Sequence, residues 1–233
     1  MIRESDLSRY KCQTCRDKSC ATEKLGMEEL NLINNHRYIS DIRKHTNILN
    51  SGSPISHIIY LRSGFVKEYI ISKDGKEQIL QIILPHTYLG FASLFGDKIN
   101  HFLYSALTDL KVCYIGIEVF TDMIKSNGNF AFEILSSVSR ESLNNFHRFI
   151  NLSNKKTFGR IAEMLLYFSR VVFSSSNFQI PLTRLEIAEM VGTSRESTGR
   201  VLSKFNNEGI ISISGKKIKI KDIRKLEKIS RLG

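Results

Sequence analysis

Arg195, Glu196 and Arg200 are the residues of this chain best equipped to read a base pair. A guanidinium can donate two hydrogen bonds to the O6/N7 edge of guanine, and a carboxylate can accept from cytosine N4. The three fall on one face of a predicted helix, and Arg195 and Arg200, five positions apart, would reach different base pairs. Glu196 has two plainer roles open to it: closing a capping box with Thr193, or holding Arg200 in an i,i+4 ion pair. A second chemistry lies in sulfur. Cys12, Cys15 and Cys20 fall within nine residues, and Cys113 follows far downstream. Thiolates at this density suit zinc or an iron–sulfur cluster. A tetrahedral site needs four ligands, Cys113 is the one cysteine left, and the six histidines are scattered without zinc-finger spacing. The plainer alternative makes Cys113 a small buried apolar residue, with the N-terminal group holding zinc or nothing.

The elements that must position the arginines are legible around them. Thr183 and Glu186 fit a capping box at the start of a short amphipathic helix, with Leu185, Ile187, Ala188 and Val191 turned inward. Gly192 suits a tight turn, and a second helix opens at Thr193 or Ser194 and runs to about Glu208, with Val201, Leu202 and Phe205 at helical spacing. Two short helices joined by a Gly-containing turn make a helix-turn-helix, whose second helix places its first residues in the major groove. Ile210–Ile213 and Lys217–Ile220, joined by Ser214-Gly-Lys216, read as a β-hairpin behind it, completing a winged helix.

The charge agrees. The 233 residues carry a net +11, and from Lys155 onward there are 16 Lys and Arg against 7 Asp and Glu, whereas residues 1–154 carry 18 against 16. The positive field therefore belongs to the C-terminal third, as expected of a domain that neutralises phosphates. No apolar run approaches the roughly 18 residues that span a membrane. Met1–Asp6 is not a signal peptide. A cytoplasmic protein is expected, in which cysteines serve metal or redox chemistry rather than disulfides. No P-loop, dinucleotide fingerprint, zinc-protease motif or nucleophile elbow is present, so an enzyme is not expected.

Between the cysteines and the basic third, Met27–Asn35 reads as one helix. Short β runs follow at Tyr38–Ile42, Thr46–Leu49, His57–Leu61, Phe65–Ile71, Gln78–Leu84, Phe102–Leu107 and Lys111–Ile117. Ser63-Gly64 and Asp74-Gly75 are among the turns that separate them. Strands at this even spacing predict a sandwich or jelly roll. Phe130–Leu152 predicts a long helix with a stripe at Ala131, Leu135, Val138, Ser142, Asn145 and Phe149 and with Ile134, Phe146 and Ile150 beside it; the stripe serves either a dimer seam or an ordinary core. A hinge at Ser153–Lys156, a helix over Thr157–Phe173, a loop at Ser174–Asn177 and a last basic helix at Asp222–Leu232 complete the chain.

Gly192-Thr-Ser-Arg-Glu-Ser-Thr-Gly-Arg-Val-Leu202, Gly209-Ile-Ile with Gly215-Lys216, Leu61-Arg-Ser-Gly-Phe-Val-Lys-Glu-Tyr69 and Asp74-Gly-Lys-Glu-Gln-Ile79 together resemble the Crp/Fnr family of bacterial transcription regulators. The resemblance implies an α+β protein: a Cys-rich segment (1–25), a cyclic-nucleotide-binding-like β-roll or jelly roll (26–128), a long dimerisation helix with its hinge (129–154) and a winged helix-turn-helix (155–233). It implies double-stranded DNA with a two-fold symmetric site, a second copy of the chain and RNA polymerase as partners. Arg195, Glu196 and Arg200 match the cyclic-AMP-responsive type, pointing to TGTGA-like rather than TTGAT-like half-sites, and Thr183, Ser194 and Ser197 match positions that bond phosphates. The cyclic-nucleotide ligand set does not carry over: Phe91 follows Gly90 where that type has Glu, and no arginine lies between Arg62 and Arg140 to meet a cyclic phosphate. Cys12, Cys15, Cys20 and Cys113 occur in the order of the oxygen-sensing type, which binds a 4Fe–4S cluster, although the second gap is one residue shorter than that type's usual five. A different small ligand with no cluster, or zinc on the cysteines, remains the alternative.

Overall fold

The structure, a computed structural model, describes residues 11–233; Met1–Asp6 lie outside the described residues. Two short 3-10 turns, Cys12–Thr14 and Thr22–Lys24, precede helix α1 (Met27–Asn35). Eight strands follow: β1 (Arg37–Ile42), β2 (Asn47–Leu49), β3 (His57–Ser63), β4 (Val66–Ile71), β5 (Glu77–Ile83), β6 (Thr87–Leu89), β7 (Leu103–Ala106) and β8 (Leu110–Gly116), with the short helix α2 (Phe91–Phe95) between β6 and β7. They form two four-stranded sheets, ordered β1-β8-β3-β6 and β2-β7-β4-β5, the β-roll that the strand spacing predicts. Helix α3 (Ile117–Ser126) leads into the long helix α4 (Gly128–Asn154).

The chain forms two compact units, one of residues up to Glu68 with Ile82–Ser142, the other of Tyr69–Gln81 with Leu143–Gly233. In the first, the roll's interior is filled by Ile59, Leu61, Val66, Leu89, Tyr104 and Val112. A second core lies on the outer face of the β1-β8-β3-β6 sheet, where Ile58, Tyr60, Tyr88, Cys113 and Ile115 meet Leu30 and Ile33 of α1, Phe120 of α3, and Phe130 and Ile134 of α4. In the second unit, α5 (Thr157–Tyr167) passes into a wider π-helical turn (Phe168–Val172), closed by the Phe173 amide donating to the Phe168 carbonyl at 3.0 Å, where the sequence predicts one α-helix to Phe173. Then come β9 (Asn177–Gln179), α6 (Arg184–Val191), α7 (Arg195–Asn207), β10 (Ile211–Ser214), β11 (Lys217–Ile220) and α8 (Ile223–Leu232). The hairpin β10–β11 gains β9 as a third strand through the pairing of Lys217 with Gln179; β9 begins at Asn177, the last residue of the expected loop, where the sequence reading places no strand.

Three expectations are corrected. Strand β6, helix α2 and helix α3 are additions to the elements read from the sequence. Strand β6 and helix α2 are too short for a clear period, whereas α3 spans roughly three turns with Phe120 and Met123 turned inward, between the last strand and the long helix, where the sequence reading places no element. Leu185, read as inward, is exposed on α6; the helix packs through Ile187, Ala188, Met190 and Val191 instead. The third concerns α4. Val138 packs against the outer-face core beside Phe130 and Ile134. The exposed apolar residues are Phe132, Leu135, Leu143, Phe146, Phe149 and Ile150. The outward stripe therefore runs Phe132, Leu135, Ser139, Ser142, Phe146, Phe149, alternating steps of three and four. One of its two columns is rotated by one residue from the stripe read in the sequence. The helix carries two apolar faces, and periodicity alone does not say which one the chain's own core takes.

Gly64 shows how tightly β3 turns into β4. Its φ is +91°, and a Cβ there would lie 2.5 Å from the Asp109 carbonyl oxygen and 2.8 Å from Thr108 Oγ1. Thr108 Oγ1 accepts from the Phe65 amide at 2.9 Å, so the neighbour is itself fixed. Gly64→Ala is expected to cost about 2 kcal/mol or more through strain and clash. Denaturant unfolding checks this; an unchanged midpoint would show that the turn relaxes freely.

Candidate effector and nucleic-acid sites

The first site is built where α1 and the N-terminal segment cover the outer face of the sheet. Cys12, Cys15 and Cys113 line one cavity with Asp17, Lys18, Arg37, Tyr60, Arg62 and Tyr88. Cys113 is placed by register: it pairs with Ile39 on β1 and with Tyr60 on β3, and side-chain alternation turns it outward. Cys12 is placed by α1, whose Asn34 Oδ1 accepts both from the Cys12 amide at 3.2 Å and from Arg37 Nη2 at 2.9 Å. Cys15 closes the first 3-10 turn. Burial holds the Cys12 and Cys113 thiols above the ordinary thiol range, and Arg37 opposes it at both. Arg62 adds its charge at Cys113. Burial thus favours the protonated thiol, and a soft cation that bound there would displace the proton.

Cys20 is exposed and does not line the cavity. Among the described residues no three His, Cys, Asp or Glu side chains stand together as a metal-holding group. The donors fit a thiolate-ligated group in kind, with three soft ligands around one cavity and a fourth on the same segment, but they are not gathered to bonding distance. Sequence reasoning missed Arg37, Tyr60, Arg62 and Tyr88, because nothing in sequence marks a side chain brought to the cysteines by strand register alone.

The second site is the start of α7. Thr183 Oγ1 accepts from the Glu186 amide at 3.2 Å while Glu186 Oε2 accepts from the Thr183 amide at 2.8 Å, the capping box read in the sequence. Gly192 ends α6 at φ +65°. Ser194, not Thr193, caps α7, accepting from the Ser197 amide at 3.1 Å. Arg195, Glu196 and Arg200 are exposed together on the first turns. Arg200 Nη2 donates to Ser197 Oγ at 3.0 Å. Its own backbone amide and the Ser194 hydroxyl hold the Glu196 carboxyl below its usual range, with Arg195 and Arg200 adding to the effect. Thr183, Ser194 and Ser197 are thus engaged in local hydrogen bonds, and a hydroxyl, with one donor and two acceptor sites, can cap a helix and still meet a phosphate. A cleft of about 300 Å³ runs along α7, lined by Arg184, Arg195, Gly199, Ser203, Asn206 and Ile213. Asn206 Oδ1 ties the hairpin to the helix by accepting from the Ile213 amide at 3.1 Å. Arg184 and Ser203 extend the candidate surface; the four-residue steps from Arg195 through Gly199 to Ser203 are the signal that could have found the latter.

Two family models match. Residues 39–127 match the cyclic nucleotide-binding domain, and residues 159–229 match the Crp-like helix-turn-helix domain. The chain belongs to the Crp/Fnr family of transcription regulators. The chain is 28% identical over 225 residues to the anaerobic regulatory protein of Pasteurella multocida, covering 94% of this chain and 82% of that protein. It is also 28% identical over 187 residues to the cAMP-activated global transcriptional regulator CRP of the same organism, covering 78% of this chain and 90% of that one. The fold matches that of FixK2 from Bradyrhizobium japonicum with a TM-score of 0.77 at 21% identity, over 83% of this chain and 96% of that one. Crp/Fnr proteins are transcription regulators rather than enzymes, and the helix-turn-helix is their DNA-binding part. Equal identity to an anaerobic and to a cAMP-activated regulator leaves the effector to the site itself. Phe91, buried against Tyr88 and Phe120, occupies the position after Gly90, so an acidic contact to a ribose has no counterpart there. Among the described residues no helix is long and apolar enough to cross a membrane.

Proposed function

We propose that this Crp/Fnr regulator is a cytoplasmic homodimer that binds a two-fold symmetric DNA site and acts with RNA polymerase, and that its DNA affinity is set by a 4Fe–4S cluster on Cys12, Cys15, Cys20 and Cys113. The observation that carries the effector reading is the convergence of Cys12, Cys15 and Cys113, from distant parts of the chain, on one cavity. When bound, such a group supplies an oxygen-labile tether between the N-terminal segment and β8. The chain supplies the rest. Cys113 belongs to the same core as Tyr88, Phe120, Phe130 and Ile134. Tyr88 meets Phe120 at 5.3 Å between ring centroids, and Phe120 meets Phe130 at 5.4 Å. A change at the thiols thus bears on α4 through close-packed rings, and α4 presents its other apolar face outward for a partner copy. Shifting a two-state dimer from 1:99 to 99:1 takes ~5.5 kcal/mol of differential stabilisation. The same thiols holding zinc, or a different small ligand without a cluster, is the second reading; it is favoured by the exposed position of Cys20.

Protein purified without oxygen is expected to be brown, to hold about four iron per subunit and to lose DNA affinity in air. Cys113→Ala is expected to remove the iron as fully as Cys15→Ala. Colourless protein with one zinc per subunit selects the second reading, and a Cys113→Ala protein with wild-type absorbance puts the fourth ligand elsewhere.

On the DNA, half-sites are expected about 34 Å apart. Arg200→Ala is expected to cost about 1–3 kcal/mol and to relax preference at one base pair. Binding titrations on single-base variants of the site check this; uniform weakening would make Arg200 a phosphate contact.

The outward stripe of α4 gives the dimer test. Phe146→Glu places two like charges in the seam, and sedimentation should show monomer with loss of specific DNA binding. A fully dimeric Phe146→Glu protein would locate the interface away from this face.

A further inference from the structure

The segment that covers Cys113 is fastened to the sheet at points that involve no sulfur. Arg62 on β3 is 7% exposed and donates to Asp17 Oδ2 from Nη2 at 2.6 Å and from Nε at 3.2 Å. Tyr60, two residues earlier on the same face of β3, donates to the Asp17 carbonyl oxygen at 2.6 Å. Tyr88 on β6 stands opposite Tyr60 in register, and its hydroxyl shares hydrogen bonds with Ser19 Oγ at 2.9 Å and Thr22 Oγ1 at 2.6 Å. Tyr60, Tyr88 and Ser19 are each buried. Contacts thus grip the chain at Asp17, Ser19 and Thr22, just past the pair Cys12 and Cys15.

We propose that Asp17, Arg62, Tyr60 and Tyr88 form a metal-independent latch that positions Cys12 and Cys15 over Cys113, so that the thiol cavity exists before anything is bound in it. The argument is one of cost. Lifting the segment would take the Asp17 carboxylate, with its two hydrogen bonds, from the Arg62 guanidinium at a largely buried position, and removing a charged partner there is costly. It would also strip the buried Tyr88 hydroxyl of Ser19 and Thr22 and leave the Tyr60 hydroxyl with only its longer 3.3 Å contact to His86 Nδ1. The four are positioning residues: they set where the thiols stand and ligate nothing. Their purpose rests on reading these thiols as the effector site. Loss of the effector then leaves the segment docked, and reloading needs no search through chain conformations, because the ordering entropy is already spent. The two states of the switch differ at the thiols and in the core behind them rather than by order and disorder of the whole segment.

The test is made on the full chain, reduced and stripped of metal with a chelator, by timed iodoacetamide labelling read peptide by peptide in a mass spectrometer. Exposed Cys20 serves as the internal standard. Cys12 and Cys113 are expected to react at least about tenfold more slowly than Cys20, and Asp17→Asn to speed both by about tenfold, the scale of one lost charged hydrogen bond. Arg62→Met should do the same, Arg62→Lys should restore part of the protection, and Tyr88→Phe should have a smaller effect. Where Arg62→Met fails to fold by circular dichroism, Asp17→Asn carries the test, since its side chain is 39% exposed and nearly isosteric. Wild-type Cys113 labelling as fast as Cys20, or rates unmoved by Asp17→Asn, would overturn the latch. The readout uses no iron, so protein that never takes up a cluster but shows latch-dependent protection defeats the effector reading and leaves the latch standing.

Discussion

Side-chain alternation along β8 is the constraint on which the cysteine-lined cavity depends. Leu110 and Val112 point into the roll, while Cys113 and Ile115 point to the covered outer face. A slip of one residue would exchange the two sets, burying the thiol in the roll and removing it from the N-terminal segment. Pairing on both sides holds the register, with Ile39 of β1 and Tyr60 of β3 each opposite Cys113. Tyr88 of β6 continues the row from Tyr60. One level of the sheet thus carries the downstream thiol and two of the hydroxyls that fasten the upstream ones. A buried thiol among buried polar groups is held to one position, as any chemistry shared between distant cysteines requires.

On the proposed reading, the same face would carry a local event at sulfur to the long helix. Phe120 and Phe130 are fully buried, and Ile134 nearly so, in the core that contains Cys113. Interiors packed at this density do not absorb displacement; they pass it on or repack. Helix α4 therefore has two apolar faces with different duties. Phe130, Ile134 and Val138 serve the core, and Phe132, Leu135, Phe146 and Phe149 are left in solvent. Exposed aromatic rings at coiled-coil spacing are a standing cost to a lone chain and a resource for a pair. Ser139 and Ser142 on the same stripe temper the apolar gain, which suits an interface whose strength is adjusted.

In the winged helix, helix caps place the arginines. The Thr183 capping box, the left-handed Gly192 and the Ser194 cap fix where α7 begins, and hence which side chains stand on its first turn. Arg195, Glu196 and Arg200 lie there with the N-terminal dipole of the helix, which favours phosphate nearby. The wing is secured to α7 through Asn206 and broadened by β9, so that its lysines sit on a three-stranded rather than a two-stranded ribbon.

The sequence by itself determined much of this protein, because the signals involved are local. Thr183 with Glu186, Gly192 and Ser194 specify the helix-turn-helix through caps and turns that need only a few neighbouring residues, and Asp74-Gly75 and the β-branched runs specify the roll's strands. The four cysteines and the charge of the C-terminal third are likewise visible without coordinates. Tertiary structure decided what depends on pairing between distant segments. It turned Cys113 toward Cys12 and Cys15 and left Cys20 outside. It brought Arg62 to Asp17 and Tyr88 to Ser19, and it chose which apolar face of α4 the core would take. Strand register and the competition between two apolar faces are settled by the burial of the whole core, and no window of sequence contains both sides of that competition.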